Sequence, residues 1–257
     1  MLHVTGIPAS YDNYIWLLAR PGEPRVTIID PSNAEPVLAH LAQHQLVLDS
    51  ILVTHHHRDH IGGLTALKAA TGARVYGPAI ERVADCDVAL TEGDVVDLPH
   101  LAQQLQVLAV PGHVREHIAF YGDGRLFCGD TLFLAGCGRI FTGTAEQLFT
   151  SLQRLAQLPP DTAIYCSHEY TEANLRFART VEPDHAGLAA RAARVQALRA
   201  QAVPTVPGVL QEELASNPFL RCHEPGLQAA VARETGVAIT DSLSCFAALR
   251  EWKNRFR

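Results

Sequence analysis

No stretch of this chain approaches the ~20 consecutive apolar residues that a membrane-crossing helix needs, so no membrane association is expected. The start, Met1-Leu2-His3-Val4-Thr5-Gly6, lacks the basic opening and apolar core of a secretory leader. The 6 cysteines, at positions 86, 128, 137, 166, 222 and 245, include no C-x-x-C pair, which argues against both a cysteine-built structural zinc site and a disulfide framework. Most lie in or beside apolar segments, where a free thiol acts as a small hydrophobe, and this usage fits a reduced compartment, the cytoplasm. Basic residues are not in excess: 21 Lys and Arg against 27 Asp and Glu leave a net charge of −6, which disfavours a broad nucleic-acid surface. A G-x-S-x-G elbow is missing, so no serine nucleophile of that kind is available. Internal repeats and low-complexity tracts are absent as well.

What the chain does have is Thr54-His55-His56-His57-Arg58-Asp59-His60, following the apolar run Ile51-Leu52-Val53 and leading into Gly62-Gly63 and a helical pattern. Residues of a strand alternate faces, so His55 and His57 are expected to point together and His56 elsewhere. Asp59 and His60 sit where the chain turns into a helix and can face back toward the strand end. A single catalytic zinc uses three protein ligands and a water, so this one segment carries donors for two ions without completing either.

The missing donors are expected at other strand ends, where sites in layered α/β proteins gather. Three segments repeat the arrangement. Leu105 to Val110 alternates like a strand and is broken by Pro111-Gly112, with His113 next. Arg125 to Cys128 ends in Gly129 and Asp130, and Ala163 to Cys166 ends in Ser167 and His168. The resulting expectation is His55, His57 and His113 around one ion, Asp59, His60 and His168 around the other, and Asp130 as a bridge. Taken singly, His113, His168 and Asp130 are ordinary surface, core or turn residues; together with the first cluster they make a centre.

Residues 54 to 60 match T-H-x-H-x-D-H, and the chain thereby resembles the metallo-β-lactamase superfamily. Further segments are similar to the glyoxalase II, or hydroxyacylglutathione hydrolase, family within it: Ile7-Pro8-Ala9, Tyr11 to Trp16, Phe127 to Phe133, Gly136-Cys137-Gly138-Arg139, His168-Glu169-Tyr170-Thr171 and Leu249 to Lys253. The resemblance implies a four-layer αββα sandwich over residues 1–170 and an α-helical substrate-binding domain over 171–257. Strand-like and helical runs alternate up to residue 170 and the pattern turns mainly helical after it. Helices are expected at Ala34–His44, Gly63–Ala70, Ala145–Leu158, Glu172–Thr180 and His185–Gln201. A hairpin is expected around Gly122-Asp123-Gly124.

The resemblance further implies hydrolysis of S-(2-hydroxyacyl)glutathione thioesters, notably S-D-lactoylglutathione to D-lactate and glutathione, by a hydroxide on two metals, as in methylglyoxal detoxification. Asp59 and Asp130 are then the catalytic carboxylates. Zinc is the first expectation for the metals, but His and carboxylate donors admit iron and manganese too. Glutathione contacts carry over to Arg139, Phe141, Tyr170, Arg250 and Lys253. Where some relatives have Lys and Tyr, this chain has Arg139 and Phe141, the latter without a phenol hydroxyl. Without the resemblance, Arg250 and Lys253 read as the solvated face of a terminal helix. Arg115 and Glu116 depart from the pattern of many relatives and bring charge after His113. His117 reads equally as a partner to a ligand or as a strand-start residue, and His56, His100, Cys137 and His185 as structural or surface residues. A monomer is expected. A lactonase or nuclease of the same superfamily and a binding protein with a structural metal are the competing readings.

Overall fold

A computed structural model describes residues 2–79 and 83–256. Packing divides the chain into two compact units, one of residues 1–109 and 116–129 and the other of residues 110–115 and 130–257.

The first unit is built on strands β1 (His3–Ala9), β2 (Asn13–Ala19), β3 (Arg25–Ile29), β4 (Val47–Leu52), β5 (Arg74–Pro78) and β6 (Val88–Leu90), which form a sheet in chain order. β1, β2 and β3 pair antiparallel, whereas β3 to β6 pair parallel. Helix α1 (Ala34–His44) makes the crossover between the parallel pair β3 and β4. The four-residue α2 (Arg58–Ile61) and then α3 (Leu64–Thr71) lie between β4 and β5. Ile15, Leu17, Val26, Ile28, Ile51 and Val75 of the sheet share one core with Val37 and Leu41 of α1 and Leu64 and Leu67 of α3. Trp16 and Leu18, which point to the other face of β2, are buried as well. A sheet covered on both faces reads as a continuous apolar run, which is why the 14–18 segment does not alternate.

The remaining strands of this unit, β7 (Val95–Leu98), β8 (Gln103–Ala109), β9 (Ile118–Gly122) and β10 (Arg125–Gly129), pair antiparallel in that order. The expected hairpin is β9–β10, turning at Asp123 and Gly124, both with positive φ. His100 is buried and bonds the hydroxyl of Thr27 across 3.0 Å, a structural use of that histidine.

The second unit holds a two-stranded hairpin, β11 (Leu132–Phe133) with β12 (Gly136–Cys137), then α4 (Ala145–Leu155) and β13 (Ala163–Cys166). The helices α5 (Thr171–Val181) and α6 (Ala186–Ala200) follow, then the short β14 (Gly208–Val209), which pairs with β13, and α7 (Leu210–Ser216), α8 (Pro225–Thr235) and α9 (Ser242–Arg255). Helix α4 starts in a capping box of Thr144 and Gln147 and buries Leu148, Leu152 and Leu155, spaced by three and four. It ends at Leu155 rather than Leu158, because Pro159 and Pro160 disfavour helix in the residues before them. His185 caps α6, its ring accepting from the N–H of Leu188. The helices of this unit enclose an aromatic core: Phe177 lies 6.1 Å from Phe219 and 5.4 Å from Trp252, and Phe219 lies 5.9 Å from Phe246. A buried ion pair joins Arg191 of α6 to Glu213 of α7. Losing one member of such a pair costs about 3–5 kcal/mol, since the other charge stays buried alone. No helix among the described residues is long and apolar enough to cross a membrane.

Candidate metal-binding site

In the first unit, β4 ends at Leu52 and residues 53–57 run on irregularly into α2. The histidines therefore do not alternate as on a strand, yet His55 and His57 still meet, ring centroids 4.7 Å apart. His55 also lies 4.0 Å from His60, and both are fully buried. Asp59 is half-exposed, with its Oδ2 3.8 Å from His60 Nε2. This unit thus gathers three imidazoles and one carboxylate at the end of one strand.

Asp30 orients the group, and sequence reading passed over it. It is buried at the end of β3 with φ 55°. Its Oδ1 accepts from the Thr54 N–H, and its Oδ2 accepts from the Thr54 hydroxyl, each at 2.8 Å. Oδ2 also stands 3.0 Å from His60 Nδ1, which directs the other ring nitrogen of His60 away from Asp30. Its only signal was a carboxylate closing a buried strand, in Ile29-Asp30-Pro31. Asn13 holds the Asp59 carbonyl at 3.1 Å. His117 is buried and stacked on His55 at 4.6 Å, a neighbour of a candidate ligand rather than a surface strand start. Gly129 is required nearby: at φ 50°, a Cβ there would stand 2.5 Å from the Thr54 hydroxyl and 2.8 Å from His117.

In the second unit, Asp130 lies between two imidazoles. Its Oδ2 is 3.5 Å from His113 Nε2 and its Oδ1 is 3.4 Å from His168 Nε2, and all three side chains are buried. Two donors at ~2.0–2.2 Å from a tetrahedral ion stand roughly 3.3–3.6 Å apart, so each oxygen of Asp130 is spaced from a different histidine as co-ligands are. The Arg139 carbonyl takes the Nδ1 side of His113 at 2.7 Å, which makes Nε2 its candidate ligating atom. The donor chemistry of both units, neutral imidazole and carboxylate, fits a zinc-type divalent ion.

The candidate substrate residues all belong to the second unit. Tyr170 stacks on His168, centroids 4.7 Å apart and planes 3° from parallel. Arg139 and Phe141 are exposed, with the guanidinium carbon 5.7 Å from the ring centre. Arg250 is buried, not on a solvated helix face: its Nη1 donates to the Cys137 carbonyl at 3.0 Å, and its guanidinium carbon lies 5.2 Å from the Phe219 ring centre. Lys253 Nζ donates to the Ala173 carbonyl at 3.3 Å. Burial, then Arg250 and Arg176, pull its pKa down to about 8. Cys137 and Cys166 are no nucleophiles at neutral pH, since burial raises both thiols, Cys166 to about 12. Arg115 is spent on Thr142, its Nε donating to that carbonyl at 2.8 Å.

Comparison with known proteins places both regions. Residues 11–168 match the metallo-β-lactamase superfamily, and residues 169–256 match the hydroxyacylglutathione hydrolase C-terminus. A hydroxyacylglutathione hydrolase of Methylobacillus flagellatus is 52% identical over 256 residues, covering 100% of each chain. Among solved structures, ETHE1 from Myxococcus xanthus superposes with TM-score 0.66 at 25% identity, covering 96% of both chains. TTHA1623, solved in a di-iron-bound form, gives TM-score 0.54 at 28% identity over 64% of this chain and 92% of its own. The fold is accordingly the metallo-β-lactamase α/β sandwich with a C-terminal helical region, a fold of divalent-metal-binding proteins. The chain belongs to the hydroxyacylglutathione hydrolase family of the metallo-β-lactamase superfamily.

Proposed function

We propose that this protein hydrolyses S-(2-hydroxyacyl)glutathione thioesters, S-D-lactoylglutathione among them, releasing the hydroxy acid and glutathione. The observation that carries the reading is similarity to a hydroxyacylglutathione hydrolase along the entire chain, helical region included. In this proposal His55, His57 and His113 hold one divalent ion, Asp59, His60 and His168 hold a second, and Asp130 serves both. Zinc suits the donors, and iron or manganese are the alternatives. Such ions, when bound, supply a nucleophile at neutral pH and polarise the thioester carbonyl.

The chain's own groups do the rest. Asp59, the most exposed of the candidate ligands, orients the attacking water and accepts its proton. Thiolate is a good leaving group, so no general acid is needed at sulfur, and none is assigned. Arg139, Phe141, Tyr170, Arg250 and Lys253 hold the glutathione moiety: the cations its two carboxylates, the aromatic rings its backbone. Residues 1–170 are assigned the chemistry and the contacts of Arg139, Phe141 and Tyr170, and 171–257 the rest of the substrate binding, through Arg250 and Lys253. Six free cysteines suit work in the reducing cytoplasm, and the site as assigned needs no second copy.

Thiol release from S-D-lactoylglutathione, measured beside a lactone and a β-lactam, tests the reading. The thioester is expected to exceed both by orders of magnitude, in protein that holds about two ions per chain, because seven donors exceed the three or four of one zinc site. Preference for the lactone would assign the chain another reaction of its superfamily. Asp30→Asn keeps the shape of the side chain but loses the carboxylate that orients His60 and Thr54. It is expected to weaken metal binding about 10–100-fold, read by chelator competition. Unchanged affinity would reduce Asp30 to a fold residue.

A further inference from the structure

Residues 131–138 are all buried, although only a two-residue pairing, β11 with β12, gives this segment a ladder of its own. A buried loop must still satisfy its N–H and C=O groups. Here side chains of the helical region do so for residues 133 to 137. Glu213 Oε2 accepts from the Ala135 N–H at 2.7 Å, where Ala135 is held at φ 56°. Asn217 Nδ2 donates to the Phe133 carbonyl at 3.2 Å, to the Gly136 carbonyl at 3.0 Å and to Glu213 Oε2 at 3.0 Å. Asn174 Nδ2 donates to the Leu134 carbonyl at 3.1 Å. Arg250 takes the Cys137 carbonyl, and Glu213 is in turn locked by Arg191, whose Nη1 also donates to Ser216 at 2.9 Å.

The loop held in this way abuts the candidate ligands. The Gly138 N–H donates to the Thr131 carbonyl at 3.1 Å. A Cβ on Gly138 would stand 1.9 Å from the Asp130 carbonyl oxygen and 3.2 Å from His113 Nδ1. One residue on, the Arg139 carbonyl fixes His113, and the Phe141 N–H donates to the His113 carbonyl at 2.9 Å. A shift of this loop would therefore be passed to the His113 ring through Gly138 and the Arg139 carbonyl, and would carry Arg139 and Phe141 with it.

We infer that Asn174, Glu213 and Asn217 are positioning residues of the hydrolytic site: by bonding the main chain of residues 133–136 they set the orientation of His113 and the place of Arg139 and Phe141. The helical region thereby shapes the metal site as well as the substrate site. This rests on the proposed roles of His113, Arg139 and Phe141.

The test is Asn217→Leu, of similar volume but without its N–H donors, assayed well below its melting temperature with native circular dichroism confirmed. Two readouts are taken: zinc affinity by chelator competition, and KM and kcat on S-D-lactoylglutathione and on a simple acyl thioester. A tenfold or greater loss of zinc affinity is expected, the effect of removing support from a metal-bound histidine. KM for the glutathione thioester should also rise, while KM for the simple thioester stays put. Asn174→Ala removes a single bond and is expected to shift both readouts the same way by less; it decides the matter should Asn217→Leu not fold. A lower melting temperature with unchanged zinc affinity and KM in the folded variants overturns the inference and leaves these residues as packing only. If the unaltered protein releases no thiol from lactoylglutathione, the proposed function fails, and zinc affinity alone still decides the inference.

Discussion

Asp130→Ala is expected to lose bound metal and activity together. Asp130 presents one oxygen to His113 and the other to His168, at 3.5 and 3.4 Å, so removal deprives two imidazoles of the same partner. If the carboxylate ties two ions, each loses a ligand at once. The transition-state charge stabilisation that bound ions supply is worth several kcal/mol. Turnover should then fall by a factor on the order of 10³ or more, at 1.36 kcal/mol per decade. Elemental analysis after metal-replete expression should give about one ion or fewer per chain, against about two for the unaltered protein. A purely structural Asp130, paired with two charged histidines, predicts another outcome: a less stable protein that keeps its metals and its rate when folded. Thermal melts of the metal-stripped forms separate the two, because a bridging role leaves those melts nearly equal. Full turnover with two ions retained would remove Asp130 from the centre.

The clustering of these candidate donors was legible because they follow strand ends, and strand ends are marked. Pro111-Gly112 before His113, Gly129 before Asp130 and the apolar 163–166 run before His168 each announce a stop followed by a donor. The hairpin and α1 fell where glycine and apolar spacing put them. What stayed hidden was second-layer support, whose residue types are those of ordinary exposed helix and turn. Glu213 and Asn217 lie in Leu210-Gln211-Glu212-Glu213-Leu214-Ala215-Ser216-Asn217, a stretch that reads as a polar face. Glu213 is nonetheless fully buried, because its partners are a main-chain N–H some eighty positions earlier and an arginine on another helix. Arg250 misleads in the same way. Charges on a terminal helix are usually solvated, but the Cys137 carbonyl and the Phe219 ring draw this one inside. Periodicity records which face of a helix is apolar; it carries no record of a buried carbonyl elsewhere that needs a donor. His117 shows the limit most simply, since only the fold puts its ring on His55.

Lys253 offers a test of substrate recognition that leaves the metals alone. Its Nζ sits 4.9 Å from the Phe177 ring centre and 5.5 Å from that of Phe256, and burial, with Arg250 and Arg176 nearby, brings its pKa down to about 8. In the folded protein the ammonium is therefore disfavoured relative to the unfolded chain. Below about pH 8 that works against stability, and the deficit is recovered as pH rises from about 8 toward the ordinary lysine value of 10.5. Substrate binding has the opposite sign: a glutathione carboxylate needs the ammonium, so affinity is greatest below pH 8 and is lost above it. KM for S-D-lactoylglutathione is thus expected to climb as pH rises through about 8, while kcat, set at the metals, does not follow that titration. Lys253→Arg should abolish the climb, since guanidinium keeps its proton throughout this range. Lys253→Ala should raise KM by about 10- to 100-fold at pH 7 and leave it flat, the scale of one charge-assisted hydrogen bond of ~1.5–3 kcal/mol. A simple thioester without glutathione should be indifferent to all three conditions. Lys253 is the cleaner probe of the pair, because Arg250→Ala would also strip the Cys137 carbonyl of its donor and disturb the loop below it. A KM that stays level from pH 6.5 to 9.5 in the unaltered protein, or that climbs equally in Lys253→Arg, would take Lys253 out of the carboxylate site and leave it as the cap on its aromatic cluster.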